Sequence, residues 1–507
     1  MKLNYKRTIL VGFAFFLISA FWQAYDATIA LTLTNKFGMS QTWSGVIMAL
    51  DNILAIFMLP LFGTLSDKCK SKSGRRTPFI RLGTIIAAVA LVCLSFVDNA
   101  QLKNLSAVST VDDPAALEVI YDTQATTDLS TPEGERFVLS EQFTKEQFTA
   151  INSKTDKDTY ANYVVPARQA YAAQVTASNP TPLILFIGVL LIILIAMATF
   201  RSPAVALMPD VTLKPLRSKA NAIINLMGTA GGILVLVLGI IFGTSAHLMS
   251  YTVFYSVLAA VMIGALTIFL LTVKEPEWAA QMQSDAIRYG IEEAVEDTST
   301  EDKRKLSKRE KVSLICILLS VALWYIGYNA VTSKYSVYAT NVLQKNYNTT
   351  MLIAQAAAIV AYLPAGIVAS KIGRKKTILG GVVMLSAAFG AASFMTANSP
   401  SIVMNLLFIL AGIAWATINV NSFPMVVEMC TGANVGKYTG FYYTASMAAQ
   451  IITPMFSGFL MDRLGMTILF PYAAIFAGLA FFTMAMTKHG DAKVIAKKGL
   501  EALDIDD

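Results

Sequence analysis

Two aspartates, Asp26 and Asp51, interrupt apolar stretches near the start of the chain, in FWQAYDATIALTLTNKF and GVIMALDNILAIFMLP. An ionisable side chain is costly inside a membrane, so each acid is a candidate functional group. At about 1.5 Å per helical residue, Asp26 lies about 27 Å from Thr8 and Asp51 about 24 Å from Asp67, which places both acids at one depth. Two neighbouring carboxylates cannot both ionise cheaply, so the pair is predicted to bind and release a proton. The alternative is that they are solvated, structural groups.

Amide and aromatic side chains in the same kind of apolar segment form a second candidate set. Amides exchange hydrogen bonds with hydroxyl groups, and an aromatic face stacks on the C–H groups of a sugar ring. These residues are therefore predicted to bind a neutral, hydroxyl-rich ligand, with packing or a membrane-interface belt as the alternative. The set comprises Gln23, Tyr25, Asn52, Trp324, Tyr328, Asn329, Trp415, Asn419 and Asn421.

A charged loop, GTLSDKCKSKSGRRTPF at 63–79, separates two apolar runs. Asp67 falls at the C-terminal end of a predicted helix, where the helix dipole disfavours an acid unless it has a partner. Arg75 and Arg76 offer local partners. The positive N-terminus of the helix predicted to begin near Tyr438 offers a better one, because it would join two halves of the chain. We therefore predict a gating latch at Asp67, whereas the alternative is that acid and bases only set membrane orientation.

Four further charged residues are predicted to take part in gating. Arg201 is expected to reach a central cavity, with snorkelling to the membrane interface as the alternative. Asp210 and Arg217 end and begin successive predicted helices and are expected to pair. Glu428 is expected to repeat the role of Asp67 toward the other half, and Lys334 is expected to snorkel.

The composition is that of a protein embedded in a membrane. Of the 507 residues, 55% are hydrophobic and 14% are charged, whereas soluble proteins carry about a quarter charged residues. Apolar stretches of bilayer-spanning length recur throughout, which predicts an all-α membrane protein because helices satisfy their own backbone in lipid. Twelve membrane helices are predicted to start near Thr8, Gln41, Pro78, Pro182, Ser218, Ser250, Lys311, Met351, Thr377, Ser401, Tyr438 and Met466.

The charges also predict the orientation of these helices. The net charge of +7 lies in short loops between helices, which indicates membrane orientation rather than nucleic-acid binding. Lys2, Lys6 and Arg7 precede the first helix and predict that both termini are cytoplasmic, in a multi-pass protein of the cell membrane. The four cysteines show no metal-ligand spacing.

The helices divide into two groups of six. We predict helices 1–3 in 1–98, an external and mainly solvated insertion in 99–181, helices 4–6 in 182–273, a cytoplasmic linker in 274–310, helices 7–12 in 311–487 and a cytoplasmic tail in 488–507. The loop at 63–79 is repeated as GIVASKIGRKKTIL at 366–379. Such a repeat predicts two six-helix bundles around a central pathway.

The loop that runs from Asp67 to Gly74, Arg75 and Arg76 resembles the signature of major facilitator superfamily transporters. Its longer form, SDKCKSKSGRRTPFI, resembles the loop of plant sucrose–proton symporters and of their bacterial relatives, which border on the glycoside–pentoside–hexuronide:cation symporters. The segment RSPAVALMPDVTLKPLRSKANAIINLMGTAGG at 201–232 is similar to the end of that family's fourth span. The resemblance implies the major facilitator fold and symport of a sugar or glycoside, such as sucrose or maltose, with H⁺; Na⁺ stays open.

Three features depart from that resemblance. Ser370 stands where the superfamily usually has Asp, and Val205 stands where the plant symporters carry an Arg, with Arg201 one helical turn earlier. The insertion at 99–181 is not typical of the family either. Any latch of the Asp67 kind is therefore expected to be asymmetric.

Two other functions stay open at this point. One is an antiporter of the same fold that exports drugs or lipids, which the amides in the membrane helices mildly disfavour. The other is a sugar sensor that does not transport and signals through 274–310.

The sequence carries no phosphate-binding loop, nucleophile triad or metal cluster, so we expect no enzyme activity, no cofactor and no metal. The expected partners are a small sugar, H⁺ and the lipid bilayer, and we expect a monomer.

Overall fold

The structure is a computed structural model that describes residues 3–110, 113–289, 307–427, 429 and 435–489. Within these residues, twelve long helices follow one another along the chain. They are α1 (Tyr5–Asn35), α2 (Gln41–Asp67), α3 (Thr77–Asn104), α4 (Thr181–Val211), α5 (Arg217–Phe242), α6 (Thr252–Thr272), α7 (Lys308–Asn341), α8 (Tyr347–Ile372), α9 (Arg374–Ala392), α10 (Ser401–Val427), α11 (Val435–Leu464) and α12 (Leu469–Ala485).

Eleven of these twelve helices are long and apolar enough to cross a membrane. The twelfth, α11, has 30 residues, which is also long enough to span a bilayer. Each helix begins within four residues of its predicted start. The predicted all-α membrane architecture is thus confirmed.

Local signals explain where several helices begin. The Ser40 side chain accepts a hydrogen bond from the backbone N–H of Trp43 and caps α2. Ser307 and Glu310 form a capping box at the start of α7. Prolines such as Pro60 in α2 and Pro454 in α11 lie inside helices, which membrane helices tolerate because neighbouring groups satisfy the freed carbonyls.

The helices pack as two halves, α1–α6 and α7–α12. In the first half α1 packs on α5 and α3 on α4, and in the second half α8 packs on α10 and α7 on α12. The halves meet where α2 packs on α11, α5 on α8 and α1 on α7. Gly45 of α2 brings two backbones together, since a Cβ there would clash with the carbonyl oxygen of Pro454.

The segment between α3 and α4 forms a small folded unit, called the insertion below. It contains short helices, the longest being Pro114–Gln124 and Val165–Ser178, and a hairpin of β1 (Asp128–Ser130) and β2 (Arg136–Val138) in which Leu129 faces Phe137. Its own buried core includes Leu105, Ile120, Leu139, Phe148, Tyr160 and Val164. The side of the molecule that carries it is called the insertion side.

The opposite side is called the linker side, because it carries the helix Glu275–Arg288 that follows α6. This helix begins the segment predicted as a linker. Its Trp278 is buried, and the Arg7 guanidinium lies 5.2 Å from the centre of the indole ring. The linker helix is thereby attached to the start of α1.

Candidate functional site

Asp26 on α1 and Asp51 on α2 are half-buried, and the Ser336 hydroxyl of α7 donates to the backbone carbonyl of Asp26 at 3.4 Å. The two carboxyl groups are close enough to interact electrostatically. Asp51 also accepts a hydrogen bond of 2.9 Å from the Asn52 amide. The structure therefore brings together the two acids that the sequence paired by depth.

Arg201 of α4 reaches the same group of residues. Its guanidinium lies 5.7 Å from the ring centre of Trp22 on α1 and interacts electrostatically with Asp51. An arginine is thus placed where its charge favours the ionised form of Asp51. Arg201 therefore lies beside Trp22 and Asp51, and its role in gating stays a prediction.

The second half contributes an aromatic group to this layer. The rings of Tyr328 on α7 and Trp415 on α10 are stacked, with centroids 3.6 Å apart and an interplanar angle of 6°. Tyr325 meets Trp415 edge-on at 5.2 Å, and Tyr328 interacts electrostatically with Asp26. Beside Tyr328, the Asn329 side-chain nitrogen is buried without a hydrogen-bond partner among the described residues.

A pair of glutamines joins the two halves at the same level. The Gln355 amide of α8 donates to the Gln23 side-chain oxygen of α1 at 2.5 Å. Gly232 of α5 lies beside this pair, and a Cβ there would be in ordinary van der Waals contact with Gln355 Oε1, at 3.5 Å. Gln355 was not predicted, although it stands out as a single amide in the apolar run LIAQAAAIVAYL.

Four other residues that were predicted to bind the ligand do not take part in the contacts described above. The Tyr25 hydroxyl donates to the carbonyls of Ile47 and Met48 at 3.4 Å. Trp324 has 0% of its surface exposed, and the buried Asn421 amide donates to Thr417 O of its own helix at 2.9 Å. In this conformation packing and local hydrogen bonds occupy these three groups, and their assignment to sugar binding stays a prediction. Asn419 is half-buried on α10.

On the linker side, Asp210 at the end of α4 binds the arginine pair of the charged loop. Its carboxylate lies 2.8 Å from Arg75 Nη2 and 2.8 Å from Arg76 Nε. The predicted pair of Asp210 with Arg217 is wrong. Arg217 instead donates to the carbonyls of Pro209 and Thr212 at 3.0 and 3.2 Å, because the end of α4 leaves these oxygens without a helical partner.

Glu275 completes this linker-side cluster and was missed by the sequence analysis. Its carboxylate accepts from the backbone N–H groups of Arg75, Arg76 and Thr77, each at 2.8 Å. It also accepts from the Thr77 hydroxyl at 2.7 Å. The buried acid thus stabilises the positive N-terminus of α3, and the only sequence signal was an acid before a proline at the start of the linker.

Asp67 is bonded within its own half in this conformation. Its carboxylate lies 2.5 Å from Arg76 Nη2, and 58% of the side chain is exposed. Glu428 and the side chains at the start of α11 lie outside the described residues. The latch between Asp67 and α11 stays a prediction, and so does the role given to Glu428.

On the insertion side, an acidic residue of the second half forms hydrogen bonds with the first half. Asp462, near the end of α11, accepts from the backbone N–H groups of Gln41 and Thr42 at 2.8 and 2.7 Å. It also accepts from the Thr42 hydroxyl at 2.5 Å. The second half therefore caps the N-terminus of α2 in the first half.

Lys334 of α7 supports the same contact. Its ammonium group donates to Gln41 O at 2.8 Å, and 0% of the residue is exposed. The expectation that Lys334 snorkels is wrong, because the carbonyl of Gln41 and the nearby Asp462 provide partners inside the protein. Asn35 and Asn341 add a reciprocal amide pair at 3.0 and 2.8 Å between α1 and α7.

A second seam between the halves lies at the end of α5. The hydroxyl groups of Thr244 and Tyr347 are 2.9 Å apart, and the Asn348 amide donates to Thr244 at 2.9 Å. The Ser245 hydroxyl donates to Asn346 at 2.9 Å. The described contacts of α2 with α11 and of α5 with α8 thus close the insertion side.

Two family models match parts of the chain. The model described as MFS/sugar transport protein matches residues 10–108, and the model described as Major Facilitator Superfamily matches residues 345–502. The first match includes Asp26, Asp51 and the charged loop.

Curated relatives match over short segments. Sucrose transport protein SUC4 of Arabidopsis thaliana is 30% identical over 74 residues, which are 15% of this chain and 14% of that protein. Sucrose transport protein SUC3 of the same plant is 32% identical over 76 residues, 15% of this chain and 13% of that protein. The MFS-type transporter ppzB of Metarhizium majus is 27% identical over 136 residues, covering 27% of this chain and 29% of that protein. The sucrose transport proteins are thus matched over about a seventh of their length.

Solved structures match over nearly the whole chain. The inward-open conformation of the xylose transporter XylE from E. coli has a TM-score of 0.58 at 16% identity and covers 99% of both chains. The nucleoside transporter NupG has a TM-score of 0.51 at 16% identity, covering 96% of this chain and 100% of that one. At these identities the likeness shows a shared fold.

Proposed function

Because the chain is a multi-pass membrane protein of the major facilitator superfamily, we propose that it is a secondary transporter that moves a sugar or glycoside together with a proton by alternating access. Its superfamily is one of transporters, which confirms that it is not an enzyme. The curated plant relatives are named as sucrose transport proteins, and on this basis we take a disaccharide such as sucrose or maltose as the first substrate to test.

One observation carries the proposal: the acids Asp26 and Asp51 lie beside Arg201 in the first half, in the same layer as the stacked Tyr328 and Trp415 of the second half. A proton site and a surface for a sugar ring are therefore neighbours, and they belong to halves that can move relative to one another. This is the arrangement that coupling requires, since the proton and the sugar must change sides in one step.

In the proposed mechanism, the free sugar stacks on the exposed part of the Tyr328–Trp415 pair. The amides of Gln23, Gln355 and Asn329 supply hydrogen bonds to its hydroxyl groups. The unpartnered Asn329 nitrogen gains a partner when the sugar binds, which removes the cost of a buried unsatisfied donor.

Proton binding at Asp51 or Asp26 is the second element. A deprotonated Asp51 attracts Arg201, and protonation ends that attraction. With one acid neutral, the layer carries less charge, and the halves can close around the sugar at lower desolvation cost. Coupling follows if the cost of desolvating the layer prevents closure while both acids are ionised.

We place the insertion side outside the cell and the linker side in the cytoplasm. The bases of the charged loop and of the loop at 371–376 lie on the linker side, and positively charged loops favour the cytoplasm. In this proposal, the closed seams on the insertion side make the structure a state that opens to the cytoplasm.

Transport by purified protein in proteoliposomes tests the proposal. With one proton per sugar, a pH gradient of one unit supports up to about tenfold accumulation. We expect labelled sucrose, maltose or a related glucoside to accumulate under that gradient, and a protonophore to abolish accumulation. Replacing Na⁺ by K⁺ in the same assay separates H⁺ from Na⁺ coupling.

Asp51→Asn is the decisive variant. It should hold the inside-to-outside ratio of sugar near one while exchange of labelled for unlabelled sugar continues, because an amide cannot carry the proton. Glu141→Gln, at an exposed residue of the insertion, is the matched control and should accumulate sugar normally. Accumulation by Asp51→Asn would exclude Asp51 as the coupling site, and binding of sugar without any exchange would favour a sensor.

A further inference from the structure

The insertion is fastened to the first half of the molecule. Its chain enters from α3 and leaves into α4. The Gln101 amide of α3 donates to Thr176 at 3.1 Å, and the insertion's Gln169 donates to Asn35 of α1 at 3.0 Å. Gly38 allows close packing, since a Cβ there would clash with the backbone of Ala173. The insertion therefore moves with the first half.

The same insertion also touches the second half between α11 and α12. The carbonyl of Pro132 accepts a hydrogen bond of 3.0 Å from the backbone N–H of Thr467. Next to this bond, Gly134 and Gly465 both have positive φ angles, of 90° and 92°. A Cβ on Gly465 would clash with the backbone from Pro132 to Gly134, so the two turns fit only without side chains.

A second contact lies at the loop between α9 and α10. The carboxylate of Asp158 accepts a hydrogen bond from the Asn398 amide. Lys345 holds this loop in place by donating to the carbonyls of Ala397 and Ser399 at 3.1 and 2.7 Å. Asp158 also attracts the Lys345 ammonium group. The insertion thus reaches two separate loops of the second half.

A cavity of about 460 Å³ lies under the first of these contacts. Gln41, Asn341 and Asp462, which join the halves, line it together with Arg136 and Gln169 of the insertion. The insertion therefore arches over the seam between α2 and α11 and does not fill it.

We propose that the insertion is a strap that ties the two halves together on the insertion side and must detach whenever the protein opens there. The proposal rests on alternating access, in which the halves move as bodies. Because the strap is fixed to the first half, opening pulls Pro132 from Thr467 and Asp158 from Asn398 at the same time. The described contacts of the strap with the second half are few and partly exposed. The strap therefore shifts the equilibrium between the states that are closed and open on the insertion side, but it does not prevent the protein from opening.

A cross-link between the strap and the second half tests this directly. Asp158→Cys and Asn398→Cys are combined in a protein whose Cys69, Cys93, Cys316 and Cys430 are replaced by Ser. A short bis-methanethiosulfonate reagent, which dithiothreitol removes, joins the two thiols. We expect cross-linking to lower sugar uptake at least about tenfold, with recovery after reduction. The two single-cysteine variants should keep their uptake in the presence of the reagent.

A labelling assay reads the same motion without sugar. Ser457 is buried on α11 between Pro454 and Gly458, both of which face α2. In a Ser457→Cys reporter, a membrane-impermeant thiol reagent should react only when the seam opens. Asp158→Ala with Asn398→Ala should raise the labelling rate about twofold to tenfold. Glu141→Ala should leave it unchanged.

The outcomes separate the strap from the transport function. For the labelling test, Asn398 is replaced in the Ser457→Cys reporter by a genetically encoded photo-cross-linking residue, which joins the loop to the insertion near Asp158 without using a thiol and should lower the labelling rate. If the joined protein labels as fast as the free protein, the strap does not detach and the proposal is overturned. If labelling falls as expected but no sugar is taken up before cross-linking, the strap holds and the proposed function fails.

Discussion

Two acids at opposite ends of the molecule have the same sequence surroundings but different partners. Asp67 ends α2 in the segment GTLSDK at 63–68, and Asp462 lies near the end of α11 in GFLMDR at 458–463. Both segments have the pattern Gly, any residue, Leu, any residue, Asp and a base. Asp67 bonds Arg76 of its own half, whereas Asp462 bonds the N-terminus of α2 in the other half.

The packing of α2 on α11 explains this difference. The two helices are antiparallel neighbours at the boundary between the halves, so the acid near the end of α11 lies at the start of α2. The structure makes this contact on the insertion side. The latch predicted for Asp67 is the equivalent contact on the linker side, and we expect it in the state that is open on the insertion side.

The surroundings of Asp67 on the linker side also differ from those of Asp462 on the insertion side. Arg76 is nearly buried and is shared by Asp67 and Asp210, while Glu275 fixes the backbone of the same loop. These contacts lie within the first half and its linker helix. They are therefore expected to stabilise that half in both states, whereas the contacts of Asp462 stabilise one state only.

The largest expected effect comes from Glu275→Gln. A carboxamide presents one acceptor oxygen and an NH₂ group to donors that now share a carboxylate, so it should lower the free energy of unfolding by about 1.5–3 kcal/mol. Thermal unfolding in detergent measures the loss. The Ser457→Cys labelling rate should not change, because Glu275 does not join the halves.

Glu277→Gln is the matched control for this variant. Glu277 is 61% exposed and lies 3.5 Å from Lys274, and such surface pairs contribute about 1 kcal/mol or less. Equal destabilisation by the two changes would contradict the structural role given to Glu275.

The next effect compares the two acids directly. Asp462→Ala removes the cap of α2 and should raise the Ser457→Cys labelling rate about threefold to thirtyfold. Asp67→Ala should act in the opposite direction, lowering the rate about twofold to fivefold. The loss of its contact with Arg76 affects both states, whereas the loss of the predicted latch weakens only the state that is open on the insertion side. Changes in the same direction would show that the two acids are not alternating partners.

The smallest effect concerns pH and His247, in the loop between α5 and α6. Burial, followed by the charge of Arg168, lowers the pKa of His247 from 6.5 to about 4. Its ring nitrogen lies 3.1 Å from Gln344 of the second half, Tyr160 packs against the ring, and Asn341 also bonds it. Since neutral His247 fits the closed seam, its contribution is complete above about pH 6.5 and is lost as the pH falls toward 4.

If opening restores the ordinary pKa of His247, the labelling rate of the Ser457→Cys reporter, divided at each pH by the rate of the same reagent with a free thiol, should rise by up to about fourfold between pH 7.5 and pH 6. His247→Gln should remove most of this rise, because glutamine retains a hydrogen-bonding group but does not titrate. An equal rise in both proteins would assign the pH dependence to another group.

Much of the fold could be predicted from the sequence because hydropathy is a local property. The twelve helix starts follow from where apolar runs begin, and the position of Asp26 and Asp51 at one depth follows from the rise of a helix. The aromatic and amide candidates were found by residue type alone. That signal could not separate the stacked Tyr328 and Trp415 from the fully buried Trp324, since all three lie in apolar helices.

Partners across the molecule could not be predicted in the same way. Asp210 was expected to bond the nearest base along the chain, Arg217, but α3 and α4 pack together and bring Arg75 and Arg76 closer in space. Lys334 was expected to reach for water, but the end of another helix supplies its acceptor. The sequence around Glu275 and Gln355 gave little indication of their roles, because their hydrogen-bond partners are about 200 and 330 residues away along the chain.

The sequence by itself determined that this is a membrane protein of two six-helix halves, where its charged loops fall and which acids lie within the apolar layer. These follow from the cost of placing charge and unpaired backbone in lipid, which acts on each segment separately. Only the tertiary structure decided which acid joins the halves and that the insertion reaches across them. Such contacts depend on which helix ends meet in space, and two acids with the same local sequence can therefore have different partners.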